Sequence, residues 1–526
     1  MKKKLFSKYK LFYIFFIIYF IAGILLSLNV GITHDEPHSN WVWELNKKKI
    51  SNFFLDTKYD VSELDTYHGF YGIGPYLLSA PLELIFSNFF SHNNISADGS
   101  ILLIKHPTVF IFYFISAIFF KKIIFMISRD KNFSYLSTIF YLCYPYIFGH
   151  SFFNIKDIPF MSIWTICTFY IIKIMNNYFY NDKFKIKDII IFALITSYLM
   201  SIRINGILIF YQYLIFLLLY LKVFKKNFIS FTKKNVKEIF LFIIIFFGST
   251  YILYPNFWND PTKFVNAIMF FGQISQTVCT VTLGECMKTQ NLPPSYIFIW
   301  LLFKLPILIL IGLILFPFVE KKLFQNRNNV LILGSLIITV SSIILLFALF
   351  RVNLYDEVRQ ILFLVPLIFI ISLVLLYNFK KKLSFYLVGL FSLFFIFQNI
   401  KVFPYNYLWL NNLNILVNVK NNFELDYWGL STKKIANFLN NKATNTEVCI
   451  ISNRNDGIKY FISNQKRCFK PFNELHKKNI RPFYVALTER ALKKGLPNNC
   501  KVVNEEKIKI NFSKEQIVLA RVYKCV

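Results

Sequence analysis

Apolar runs about the length a helix needs to cross a bilayer, almost free of charge, constrain this chain more than anything else in it. They fall at 11–30, 104–124, 133–149, 158–178, 187–202, 204–223, 238–254, 297–319, 329–350, 360–378 and 383–402. Hydrophobic residues make up 56% of the chain and charged residues 17%, too little charge to cover a soluble surface of this size. The expected class is therefore an all-α polytopic membrane protein with about 11 transmembrane helices. The first run follows five Lys within Met1–Lys10, but it is long for a signal core and no Ala-x-Ala site follows, so it reads as a retained helix.

The net charge of +31 would suit a nucleic-acid binder, but no such motif is present and the basic residues sit in short turns between the runs. They are Lys121, Lys122, Arg129 and Lys131; Lys183, Lys185 and Lys187; Lys222 through Lys237; Lys321, Lys322 and Arg327; and Lys380 to Lys382. The stretch Phe70–Phe90 carries Gly72, Gly74, Pro75, Pro81 and Glu83 and reads as a helix lying in the interface. With that stretch outside, every basic turn and the amino end fall on the cytoplasmic side, and the carboxyl end falls outside. The expected setting is a bacterial inner membrane with the functional face toward the periplasm.

The division expected is a transmembrane domain over 1–402, with outer loops 31–103, 149–157, 255–296 and 351–359, and an extracytoplasmic α/β domain over 403–526. The tail pairs a helical pattern near Thr432–Leu439 with β-like runs at Val448–Ile451, Phe483–Leu487, Lys507–Phe512 and Ile517–Val522. Six Cys fall outside, where disulfides form: Cys279 with Cys286, Cys449 with Cys468 and Cys500 with Cys525 are plausible pairs, although sequence leaves connectivity open.

Chemistry is suggested where polar groups interrupt so apolar a chain. Thr33-His34-Asp35-Glu36-Pro37-His38 follows the first run directly. It reads either as a solvated loop capping a helix with Pro37 in its first turn or as an acid/base site. His68 and the loop from Gly149 and His150 to Asp157 are placed on the same side. Lys304 lies in an apolar run, Arg203 marks a tight outer hairpin, and Arg351, Asp356, Glu357 and Arg359 crowd one outer turn. Charge at such positions is costly and marks function, and cations there suit a phosphate headgroup. Snorkelling of Lys304 and a structural Asp356–Arg359 pair are the bland alternatives.

In order along the chain, these segments resemble the GT-C glycosyltransferases, specifically the family 39 group of protein O-mannosyltransferases and bacterial aminoarabinose transferases. Asp35-Glu36 falls at the acidic pair of the first outer loop, and Tyr67-His68-Gly69-Phe70-Tyr71 at the stretch opening an interfacial helix, with Gly69 and Phe70 in place of two prolines. Lys105-His106-Pro107, Pro145 through Asp157-Ile158-Pro159, Tyr254 through Pro261, Lys304-Leu305-Pro306, Leu354 through Gln360 and Phe423 through Gly429 continue the likeness to about position 430. The resemblance implies a GT-C fold, a polyprenyl-phosphate sugar donor, inverting transfer to a lipid, glycan or protein acceptor, and no nucleic acid. On that reading Asp35, then Glu36, is the general base, and Asp157 orients the acceptor. Lys304, Arg203, Arg359, His68, His150 and Asp356 hold substrate. A divalent metal on Asp35, Asp157, His34 and His38 is a further possibility, since some GT-C enzymes use one and others do not. The rival classes are a transporter or flippase of lipid-linked sugars and a non-enzymatic membrane assembly protein. Neither the sugar nor the acceptor is named by the sequence.

Overall fold

Among the described residues of the computed structural model, eight helices are long and apolar enough to cross a membrane. It describes residues 10–86, 96–273, 277–442, 448–452, 455–462, 467–469, 483–488, 500–510, 513 and 515–525. In chain order the helices that matter below are α1 (Lys10–Ser27), α2 (Glu36–Leu55), α3 (Gly74–Phe86), α4 (Ala97–Ser128), α5 (Lys131–Cys143), α6 (Pro145–His150), α7 (Asp157–Asn181), α8 (Ile186–Ile202), α9 (Ile209–Val223), α10 (Val236–Leu253), α11 (Lys263–Gln273), α12 (Ser295–Lys304), α13 (Ile307–Ile314), α14 (Arg327–Leu349), α15 (Val365–Phe379), α16 (Lys381–Val402) and α17 (Thr432–Lys442). The eight are α1, α4, α7, α9 with the turn before it, α10, α14, α15 with the turn before it, and α16.

The other three apolar runs form shorter helices. Residues 133–149 divide into α5 and α6 because Pro145 restricts Tyr144 to an extended backbone. The run 187–202 becomes α8, of 17 residues. The run 297–319 breaks between α12 and α13, which meet at 118°. Pro306 cannot donate a backbone hydrogen bond and keeps Leu305 extended. The carbonyls freed at that break find a partner in Asn411, whose side-chain amide donates to Leu302 O at 2.5 Å and Leu305 O at 2.7 Å. A broken helix at membrane depth is tolerated where protein satisfies its backbone in this way.

The stretch expected to lie in the interface holds α3, of 13 residues, too short to cross. Its Glu83 turns inward, 3.1 Å from Lys47 and 3.5 Å from Lys105, while Leu78, Leu84 and Ile85 face outward. Its end beyond Phe86 lies outside the described residues. The central helices are α7 and the span through α15, which are mostly buried, whereas α1 and α10 are mostly exposed around the rim.

The basic turns gather at one end of the bundle. Lys226 meets Asp182 at 2.9 Å, Lys381 meets Asp130 at 2.8 Å, and Arg327 donates to Val223 O at 3.1 Å. At the other end, β1 (Cys279–Thr282) and β2 (Glu285–Lys288) form an antiparallel hairpin closed by the Cys279–Cys286 disulfide.

The tail carries β3 (Val448–Ser452), β4 (Arg467–Phe469), β5 (Phe483–Thr488), β6 (Cys500–Ile508) and β7 (Ile517–Cys525) in one mixed sheet, ordered β4-β3-β5-β7-β6. Cys500 and Cys525 are bonded, and Cys449 stands opposite Cys468 in the β3–β4 register. The strand expected over 507–512 lies earlier, at 500–508. The packing does not divide at 402/403, the expected domain boundary. Tyr407, Trp409, Leu410, Leu425 and Trp428 are buried in the same core as the helices, and the tail's separate core is built on Ile435, Ala436 and Leu439 of α17.

Candidate active site

The end of the bundle opposite the basic turns holds a dense group of ionisable side chains, placed where helices begin, end or break. Asp35 occupies the N-cap of α2 yet makes no side-chain cap. Its carboxylate, 42% exposed, instead faces Arg359 Nη1 at 3.4 Å. Burial works to raise its pKa, but the Arg359 guanidinium, Lys156 and His34 outweigh burial and hold it below the usual carboxylate range.

Glu36, one residue on, points the other way. Its carboxylate accepts from the Thr33 backbone N–H at 2.7 Å and meets His106 Nε2 at 2.8 Å, while His106 Nδ1 lies 3.1 Å from Ser27 O. Both side chains are buried. Glu36, expected as the alternative base, is thus turned away from Asp35: the turn into α2 sends successive side chains to different faces, and Glu36 ties that turn to α4.

Arg359 is the hub. Its guanidinium also meets Asp356 at 3.3 Å and stacks over Trp428 at 4.6 Å and Tyr355 at 4.8 Å. Asp356 and Glu357 both take left-handed backbone, φ 54° and 68°, unusual for two adjacent residues with side chains. The turn is held there by Thr280, whose hydroxyl accepts from the Asp356 N–H at 3.0 Å, and by Tyr296, whose hydroxyl accepts from the Glu357 N–H at 3.1 Å. It divides the two acids: Asp356 serves Arg359, and Glu357 meets Lys304 Nζ at 2.8 Å. Lys304 ends α12 at the Pro306 break, almost wholly buried, with Tyr146 under its ammonium at 4.5 Å. Burial, with Asp356 adding, pushes the Glu357 carboxyl up to about 7 against the pull of Lys304.

The second outer loop supplies a parallel unit. Asp157 opens α7 and meets Arg203 Nη2 at 2.5 Å, at the end of α8. Asn154 donates to Asp157 at 2.9 Å and to His150 Nδ1 at 3.1 Å. That leaves the His150 proton on Nε2, 3.5 Å from the Tyr427 hydroxyl. Asp157 does not touch Asp35; each acid has its own arginine. Between them stands Lys156, whose Nζ lies over the Tyr71 ring at 4.7 Å. Its pKa comes down to about 8 through burial, with Arg203 and Arg359 adding and Asp35 and Asp157 opposing.

His68 and His38 form a separate exposed pair, Nδ1 to Nε2 at 3.1 Å, edged by Trp41 and Tyr71. Burial, then Lys156 and His68, lowers the pKa of His38. His34 is exposed, 3.8 Å from Asp35. Among the described residues no three His, Cys, Asp or Glu side chains come together as a metal ion requires. The four expected metal ligands are therefore spread over two units, with Asp157 committed to Arg203.

The structure thus brings Asp35, Asp157, Asp356, Lys304, Arg203, Arg359 and His150 to one end of the bundle, and leaves Glu36 and the His38–His68 pair outside that group. Sequence reasoning passed over Lys156 and the aromatic wall of Tyr355, Tyr427 and Trp428. The alternation of Lys156 with Asp157 in an otherwise apolar loop was the available signal for the first. Asp426 lies in the Phe423–Gly429 segment of the resemblance but carried no role there; it fixes the wall by accepting from the Gly429 and Leu430 N–H groups at 3.0 and 3.1 Å and from Ser431 at 2.5 Å.

The sequence matches no protein-family model. It has no match among curated proteins. Among solved structures it is similar to ArnT from Cupriavidus metallidurans bound to undecaprenyl phosphate, at 10% identity over 99% of this chain and 98% of that one, with a TM-score of 0.49. It is similar also to ArnT from Cupriavidus metallidurans in the apo state, at 10% identity over 98% and 97%, with a TM-score of 0.46.

Proposed function

We propose that this chain is a membrane glycosyltransferase that takes a sugar from a polyprenyl-phosphate donor and passes it to a lipid, glycan or protein acceptor at the outer face. The observation that carries the reading is Asp35. Of the four acids grouped with Lys304, Arg203 and Arg359, it alone is well exposed: the side chains of Asp157, Asp356 and Glu357 are 2%, 8% and 0% accessible. It is also held ionised, the state a base requires.

The transfer follows from that placement. The acceptor's hydroxyl or amine attacks the anomeric carbon and gives its proton to Asp35. The bond from that carbon to the phosphate oxygen breaks, and the oxygen keeps the electron pair. Cations preset around the leaving phosphate stabilise the charge that develops there. The aromatic wall of Tyr355, Tyr427 and Trp428 limits the water that would otherwise hydrolyse the donor. The lipid tail needs an apolar path to this end of the bundle, and the exposed sides of α1 and α10 face hydrocarbon.

The test is to incubate purified protein with a panel of labelled polyprenyl-phosphate sugars and follow transfer or slow donor hydrolysis. Asp35→Asn is expected to lose roughly 10²–10⁴-fold in turnover while its thermal unfolding midpoint stays close to wild type. Near wild-type turnover in that variant would remove Asp35 from the mechanism, and silence across the whole panel would remove the reading.

A further inference from the structure

The cations at the outer end are not equivalent. Arg203 is neutralised by Asp157 at 2.5 Å, Lys304 by Glu357 at 2.8 Å, and Arg359 by Asp356 at 3.3 Å and Asp35 at 3.4 Å. Lys156 lies among the same groups, and its ammonium makes no ion pair or hydrogen bond with any described residue. The Tyr71 ring lies beneath its ammonium at 4.7 Å. Asp35 on one side and Asp157 on the other feel its charge, but neither closes on it. A half-buried ammonium whose hydrogens go unused is costly, and here the cost is borne beside the one exposed carboxylate of the group.

We propose that Lys156 grips the phosphate of the lipid-linked donor and neutralises it as it departs. The assignment rests on the transferase reading for the ligand's identity, and on the unpaired ammonium for the residue. Its partners fit that task. The Tyr71 ring holds the ammonium by its π-face, so no carboxylate takes its N–H groups. They are therefore open to phosphate oxygens, whereas Arg203, Lys304 and Arg359 each already face a carboxylate. Lys156 also lies next to Asp157 in sequence, so the loop that anchors Arg203 sets the position of the ammonium. When the bond from sugar to phosphate breaks, the added charge on the phosphate oxygen then meets a cation that has no competing carboxylate at contact distance.

The experiment measures binding of polyprenyl monophosphate to the purified full chain in lipid nanodiscs, with inorganic phosphate and phosphatidylglycerol as the other phosphate sources. Lys156→Gln is expected to weaken polyprenyl monophosphate roughly tenfold or more, and Lys156→Arg to stay within about threefold of wild type, since Arg restores charge and donors. Equal thermal unfolding midpoints in the three proteins separate binding from folding. Wild-type affinity in Lys156→Gln overturns the proposal while leaving the transferase reading in place. Failure of the wild-type protein to bind any polyprenyl monophosphate overturns that reading, and the assignment of the ligand goes with it. Displacement of the lipid by millimolar inorganic phosphate alone would show that the site takes free phosphate, and would overturn the lipid assignment.

Discussion

At the scale of single residues, the pair Asp35–Glu36 shows how adjacent acids acquire different work. The first is left unsatisfied at a helix cap and reaches Arg359; the second is buried against His106. The sequence displayed both carboxylates at the end of the first apolar run. It did not separate them, because the partners that do so lie 324 and 70 residues away. Lys304 and Glu357 present a different case, a buried pair across the outer end. Removing one partner leaves an uncompensated charge and costs about 3–5 kcal/mol, whereas replacing both by apolar groups is often neutral. Lys304→Met is therefore expected to lower the unfolding midpoint sharply, and Lys304→Met with Glu357→Leu to recover most of the loss. A pH series checks the same pair. The Glu357 carboxyl rises from 4.5 to about 7 on folding, so the folded state holds its proton more tightly than the unfolded chain. Its contribution to stability is complete below about pH 4.5 and is lost as pH rises through 7. The wild-type midpoint is expected to fall across that window, and the double variant to lack that part of the slope. A double variant as unstable as Lys304→Met would contradict the pairing.

At the scale of elements, every site residue lies where a helix begins, ends or breaks: Asp35 before α2, Asp157 at the start of α7, Arg203 after α8, Lys304 at the Pro306 break. Those boundaries were readable, because Pro37, Pro159 and Pro306 stand beside them and apolar runs stop there. The segment 403–430 was not. Its Asn411 mends the break below Lys304 and its Trp428 stacks on Arg359, yet both contacts join residues far apart in the chain. The approach of the outer segment to α8 was equally hidden. A Cβ on Gly72 would lie 2.2 Å from Ser201 O and 2.6 Å from Ile202 O, backbone atoms that have no freedom to swing aside. Gly72→Ala is thus expected to push the 67–74 stretch off the end of α8, moving Tyr71 and Arg203 together. Overpacking of this kind costs about 1–3 kcal/mol. The measurement is the unfolding midpoint with donor binding alongside it. Gly248→Ala is the control, since nothing lies within 4 Å of that position. Equal behaviour of the two variants would show that the contact at Gly72 does not position the site.

At the scale of the whole molecule, the net charge of +31 is not spread evenly. Lys-rich turns collect at one end, where they touch one another through Lys226–Asp182, Lys381–Asp130 and Arg327–Val223. The ion-paired site collects at the other. The gathering of the basic turns at one end was legible from sequence, and the positive-inside rule, which acts on short loops, gives the expectation that this end faces the cytoplasm. The number of full spans was less legible: hydropathy does not register the breaks at Pro145 and Pro306 that leave α5 and α12 short. The orientation carries the functional reading, since a polyprenyl-linked donor used outside needs the site outside. Among the described residues the free cysteines, Cys143 and Cys167, are buried, so with Cys449 and Cys468 replaced by Ser a single new surface thiol at a site distant from the disulfides reports its own side. Lys420→Cys lies on the site's end and Lys183→Cys on the basic end, both at exposed positions. A membrane-impermeant maleimide is expected to label Lys420→Cys in right-side-out vesicles and Lys183→Cys only in inside-out vesicles. The reverse pattern would place Asp35 and Lys156 in the cytoplasm, and a transferase working at the outer face would then have no site there.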